Sequence, residues 1–156
     1  VYFVPAFVGL GAPHWQPHAR ASITGMTRGT SQYHIVRAAL ESTAFQVKDV
    51  VGAMEGGRTR SNQPLRADGG QSGNPFVMQF QADILDRPVE VANVSETTAL
   101  GAAFLAGRGV GLWRSENEIS SLWKASARYE PSISESERTN LYAGWLDAVR
   151  RVSSTI

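Results

Sequence analysis

Apolar residues recur every three or four positions through the longest patterned stretch of the chain: Val36, Leu40, Ala44, Val47, Val51 and Met54. That spacing keeps one face of a 3.6-residue turn apolar and predicts a helix over about 31–54. Thr30 or Ser31 supplies its cap, and Gly56-Gly57 ends it. Upstream, residues 1–8 are almost all apolar and predict a strand, and 9–17 (GLGAPHWQP) are turn-rich. Residues 21–26 set Ser22 and Thr24 against Ile23 and Met26, the alternation of a short strand.

Downstream, residues 58–64 read as a polar loop, and Leu65-Arg66-Ala67 as a short strand running into Asp68-Gly69-Gly70. A second helix is predicted over 74–85, with Phe76, Met78, Phe80, Ile84 and Leu85 apolar. A strand follows over 88–92, opening on Pro88, where no ladder donor is lost. A third helix over about 97–108, capped from within 95–97, carries Ala99, Gly101, Ala102, Ala103 and Ala106. Such small residues let a helix approach a sheet or a ligand closely. A short helix at about 115–123, a strand at 127–130 and a terminal helix over about 134–152 complete the series. Alternating strands and helices predict an α/β fold with helices packed on a sheet.

Composition narrows the class. The 156 residues suffice for one domain with a real core; 42% are hydrophobic and 19% charged, as in ordinary globular proteins. A formal net charge of +1 gives no reason to expect a nucleic acid or an anionic membrane as partner. The absence of cysteine excludes disulfides and thiolate metal sites and is compatible with a reducing cytoplasm. No apolar run reaches the roughly 18 residues that span a bilayer. The chain opens inside an apolar strand and without Met, which reads as an excised fragment.

The chemistry is concentrated in Asp68-Gly69-Gly70-Gln71-Ser72-Gly73-Asn74. Glycines after a strand allow positive φ and let backbone approach a ligand without a Cβ in the way. Successive N–H groups and the helix end that follows suit phosphate oxygens. The Asn74 carboxamide can read an adenine edge. On the residues alone, the same pattern also describes an ordinary strand-to-helix turn, and Asp68 before Gly-Gly a turn or cap residue rather than a catalytic base. Two look-alikes fail. Gly107-Arg108-Gly109-Val110-Gly111 follows a helix, not a strand, and is a helix end rather than a dinucleotide fingerprint. His14 and His18 are four apart, but Pro13 and Pro17 oppose a helix and no other zinc ligands accompany them. The three histidines and the lack of a Gly-x-Ser-x-Gly elbow argue against a nucleophile triad. Trp15, Trp113, Trp123 and Trp145 are expected to be packing residues. Glu41 is expected to cap or pair on the helix surface. Arg20 and Arg28 flank the 21–26 strand and could meet phosphate, but solvated arginines are commoner and they are expected to be solvated.

Several stretches together carry a family resemblance. ASITGM at 21–26, then seven residues, then His34-Ile35-Val36-Arg37-Ala38-Ala39-Leu40-Glu41 resembles the C-terminal signature of the FGGY carbohydrate kinases. VPAFVGLGAPHW (4–15), FVMQFQADIL (76–85), TALGAAFLAG (98–107) and Tyr142-Ala143-Gly144-Trp145 resemble the glycerol kinase branch rather than the xylulokinase branch. The resemblance covers nearly the whole chain. It implies a ribonuclease-H-like domain of the actin/hexokinase ATPase type, truncated on its N-terminal side. Residues 1–152 would be the C-terminal kinase domain and 153–156 a tail.

It further implies transfer of a phosphoryl group from ATP to glycerol with Mg²⁺, in the cytoplasm. Gly70 would meet the nucleotide phosphates or ribose, Asn74 the adenine, and Gly69 would permit the turn. No catalytic residue and no metal ligand is expected in this chain. The base, the glycerol ligands and the first phosphate hairpins would belong to a missing N-terminal domain, so the fragment alone should be inactive. Gln16 stands where an Asp is common, and Gly73 and Pro75 replace the usual neighbours of Asn74; Pro75 needs no N–H at a first helical position. Other FGGY sugar or polyol kinases, a non-catalytic ATP-binding module, and a homo-oligomer remain compatible with these residues.

Overall fold

The structure, a computed structural model, describes residues 1–56 and 63–153. The element order is β1 (Tyr2–Val4), β2 (Ser22–Thr24), α1 (Gln32–Glu55), β3 (Leu65–Ala67), α2 (Pro75–Leu85), β4 (Val89–Ala92), α3 (Thr97–Gly109), α4 (Glu116–Leu122), β5 (Ala125–Tyr129) and α5 (Glu135–Ser153). A single 3₁₀ turn, Gly70–Gly73, joins β3 to α2. Gly57, most of the predicted 58–64 loop and residues 154–156 of the predicted tail lie outside the described residues.

The strands form two small sheets. β1 and β2 pair antiparallel, Phe3 opposite Ile23. In the other sheet β4 is central, parallel to β3 (Leu65 opposite Val89) and antiparallel to β5 (Val89 opposite Tyr129). The β3–α2–β4 unit is thus a parallel crossover, the connection that a helix between parallel strands requires. β1 stops at Val4, short of the predicted 1–8 strand. Pro5 cannot donate to a ladder, and beyond it Phe7 and Val8 turn out to solvent.

α2 explains the core. Phe80 and Ile84 on one side join Val4, Phe45, Trp145 and Val149 in a cluster shared with α1 and α5. Val77, Met78 and Ala82 on the other side meet Val89 and Val91 of the sheet. A helix clad on both sides must be apolar nearly all round, as FVMQFQADIL is. At the centre, Trp145 stacks on Phe45 (5.3 Å between centroids, 9° between planes), and Phe80 meets Phe45 edge-on at 5.3 Å. Each of these rings contributes about 2–3 kcal/mol by leaving water.

The buried face of α1 is not the predicted stripe. It is Ala38, Glu41, Ser42, Ala44, Phe45 and Asp49, while Val36 and Met54 are 58% and 78% exposed. The apolar count misleads because two carboxylates belong to the inner face, each with partners. Glu41, expected on the surface, is buried and accepts from Arg37 Nε at 2.7 Å. Asp49 accepts from three donors: His14 Nε2 at 2.8 Å, Tyr142 Oη at 2.6 Å and Trp145 Nε1 at 2.8 Å. His14 is therefore tied into the fold. Burial, and then the hydrogen bond and charge of Asp49, push the Tyr142 phenol well above its ordinary value of 10.0.

The caps follow the sequence with one change. Ser31 caps α1, its N–H bonded to His34 Nδ1 at 3.0 Å, and Gly56 ends the helix at φ +54°. α3 is capped by Glu96, whose side chain makes no cap bond. Trp15, expected to pack, is 73% exposed at φ +51°, because the 9–17 turn carries it outward.

Asp49→Ala would strand three donors and is expected to lower the unfolding free energy of the intact protein by about 3 kcal/mol in denaturant titration. The raised Tyr142 value sets a pH window. The stability it supplies is complete below the unfolded phenol value of 10.0 and is lost as pH rises above it. Tyr142→Phe should therefore lose less stability than the wild type above that pH.

Candidate nucleotide site

β3 and β4 run parallel and end side by side, so Asp68 and Ala92 sit at the carboxyl edge of the sheet, where open α/β sheets hold ligands. From this edge the chain turns through Gly69, at φ +90° and ψ −179°, a conformation open in practice only to glycine. The turn is closed internally: Ser72 Oγ and Ser72 N donate to Gly69 O at 2.7 and 3.1 Å, and Asn74 N donates to Gln71 O at 3.0 Å. A Cβ placed on Gly69, Gly70 or Gly73 would meet nothing within 4 Å. The loop is thus shaped by backbone angle and open towards solvent.

Asn74 caps α2. Its Oδ1 accepts from Phe76 N at 3.0 Å and Val77 N at 3.4 Å, and Pro75 has no N–H to offer. The α2 end is therefore sealed, which corrects the expectation that it presents unpaired N–H groups. What the loop can offer a ligand is the backbone of exposed Gly70 and Gln71 and the Nδ2 amide of Asn74. A neutral amide donor beside open glycine backbone suits a nucleoside better than it suits a bare phosphate.

Beside the loop lies a cavity of about 310 Å³, lined among others by Arg66, Asp68, Thr97, Leu100, Phe104 and Trp123. Arg66 lies over the Trp123 ring at 4.0 Å from its centroid, an arrangement worth roughly 0.5–1 kcal/mol at an exposed position. Thr97 Oγ1, at the start of α3, donates to the Asp68 carboxylate. Sequence reasoning brought Gly69, Gly70 and Asn74 together, and they do lie on one loop. It missed Thr97, Arg66 and Trp123. Thr97 is 29 positions from Asp68, and no spacing rule connects the two.

The remaining expectations resolve locally. The glycine-dense segment at 107–111 spans the end of α3, where a Cβ on Gly107 would fall 2.2 Å from the Trp113 ring. That glycine serves packing. Of the small-residue helix α3, only Gly107 is buried, while Gly101 lines the cavity beside the loop together with Ala67 and Ala92 of the sheet. Trp145 and Trp113 pack as expected. Arg20 is held by the carbonyls of Pro17 and Ala19. Among the described residues no three His, Asp or Glu side chains converge to hold a metal, and no helix is long and apolar enough to cross a membrane.

Residues 1–110 match the model of the FGGY family of carbohydrate kinases, C-terminal domain. The chain belongs to the FGGY family. "Glycerol kinase 2" of Thermotoga maritima is 57% identical over 151 residues, 97% of this chain and 30% of the relative's length. A glycerol kinase of Plasmodium falciparum solved with ADP superposes with TM-score 0.88 at 40% identity, over 99% of this chain and 31% of that one. A ligand-bound xylulose kinase of Lactobacillus acidophilus has the same TM-score, 0.88, at 26% identity over 99% of this chain and 31% of that one. This FGGY chain thus spans about 30% of the length of the curated relatives it matches. Its α/β architecture is that of the C-terminal domain of an actin/hexokinase-like ATPase.

Gly69→Ala would force a side chain into a conformation costing on the order of 1–3 kcal/mol. The cost is one of angle rather than space, so the expected outcome is a looser loop in an intact fold. Amide exchange at 69–74 should speed up while the core amides of α1 and α5 stay unchanged.

Proposed function

We propose that the full-length protein phosphorylates glycerol with ATP, and that this FGGY domain supplies the adenosine side of its nucleotide cleft. One observation carries the choice of acceptor. Structural likeness is equal for the glycerol kinase and the xylulose kinase, TM-score 0.88 in both, but identity is 40% to the first and 26% to the second. Shape is common to the family, so what tells the branches apart is sequence. The chain is also 57% identical to the Thermotoga maritima enzyme.

In this reading Gly69 sets the turn and the open backbone at Gly70 lets the ribose or phosphates come close. Asn74 holds its oxygen on the α2 cap and turns its amide to an acceptor nitrogen of adenine. Mg²⁺ would travel on the nucleotide phosphates, as is usual for phosphoryl transfer. The residues described here add no cage of their own. Positioning and charge neutralisation act from both sides of the cleft. The base and the acceptor ligands belong to an N-terminal domain, and this domain alone does not catalyse. A cytoplasmic, self-associating enzyme fits the same reading.

The full-length protein is expected to transfer phosphate from ATP to glycerol in preference to xylulose or gluconate. Transfer to a sugar but not glycerol overturns the acceptor, and ATP binding without any transfer points to a binding module. Two variants test the loop. Space around Gly70 is free within the fold, so Gly70→Val should leave the melting temperature unchanged and raise the KM for ATP sharply. Asn74→Asp keeps the capping oxygen and removes the amide donor. It should preserve stability and weaken ATP binding by more than the roughly fivefold of one lost neutral hydrogen bond, because a carboxylate oxygen then faces the acceptor nitrogen and the anionic nucleotide. Unchanged ATP kinetics in both would return the loop to an ordinary turn.

A further inference from the structure

Resting on the nucleotide reading above, we propose that Asp68 and Thr97 are positioning residues whose hydrogen bond fixes the glycine loop against α3 and thereby sets nucleotide affinity. The loop has little else to hold it there. Among the described residues, the hydrogen bonds of 69–74 run inside the turn or into the first turn of α2. The loop's two ends are fixed by β3 and α2, and the freedom left to it is rotation at Gly69, at φ +90°. The Thr97 hydroxyl donating to the Asp68 carboxylate supplies the missing reference, reaching the loop's first residue from another element.

The bond also serves α3. Its cap residue Glu96 makes no side-chain cap bond, and no acidic residue lies in its first turn. The Asp68 carboxylate, held at Thr97, places a negative charge at the positive end of that helix from outside it. The two elements therefore fix each other: α3 locates the loop, and the loop's carboxylate steadies the first turn of α3. Both residues line the 310 Å³ cavity, so the bond forms part of the wall beside the open glycine backbone. Substrate need not touch either side chain for their loss to be felt, because a displaced Gly70 is a displaced binding surface.

The test uses the full-length protein with Thr97→Val, which keeps the shape and removes the donor, and Thr97→Ser, which keeps the donor. Thr97→Val is expected to raise the KM for ATP about fivefold, with kcat and the KM for glycerol within roughly twofold of wild type. Thr97→Ser is expected to restore the ATP constant. Without nucleotide, amide exchange at 69–73 should be faster in Thr97→Val and as in wild type in Thr97→Ser. An unchanged ATP constant in Thr97→Val overturns the inference. So does a Thr97→Ser as impaired as the valine, or a glycerol constant that moves together with that for ATP, since those mark lost packing. A wild type that takes up no nucleotide overturns the functional reading and, with it, the affinity role assigned here. A nucleotide-binding wild type with an unaffected Thr97→Val overturns this inference alone.

Discussion

A buried carboxylate in the middle of a long helix has to be answered by donors, and Asp49 is answered by three. His14 comes from the turn after β1, and Tyr142 and Trp145 come from α5. A carboxylate taken from water costs several kcal/mol unless hydrogen bonds replace its hydration. Here the replacement is possible only when α1, α5 and the 9–17 turn stand in one arrangement. The constraint is directional, unlike the packing of Phe45 on Trp145, which tolerates some sliding. Asp49 therefore sets the register in which the aromatic cluster packs.

That frame is what α2 leans on. Phe80 and Ile84 are held by α1 and α5, and Val77 and Met78 by the sheet, so the axis of α2 and its first residue have little freedom. The glycine loop joins this fixed point to the end of β3, itself fixed by pairing with β4. A loop of a few residues between two rigid anchors can present backbone to a ligand without losing much order on binding, which is the economy of a preorganised site. Its remaining freedom lies in the turn at Gly69, the place where the Asp68–Thr97 bond acts.

Much of this was legible from the residues. Period-2 and period-3.6 patterns located every described helix and strand to within a few positions, because caps and breakers such as Ser31, Gly56 and Pro88 mark their ends plainly. The loop was legible too, since a strand followed by Asp-Gly-Gly and a helix is a local pattern. The inner face of α1 was not. Hydrophobicity counts residues one at a time, and Glu41, Ser42 and Asp49 enter the core only through partners up to 96 positions away. The same limit hid Thr97 and the Arg66–Trp123 stack. The sealed end of α2 was missed for a different, local reason: a capping Asn is an N–H acceptor in the structure and a base reader in the sequence. Family likeness suggests a nucleotide role for the loop; what the structure shows of Asn74 is the capping role of its oxygen.

Residues 68–74 are proposed as the nucleotide-facing edge of this FGGY domain. Hydrogen exchange of the full-length protein with and without ADP tests it most directly. Slowed exchange centred on 69–77 is expected when ADP is added, with α4 and the exposed end of α5 unchanged. ADP that binds and protects other segments while leaving 69–77 as it was would contradict it.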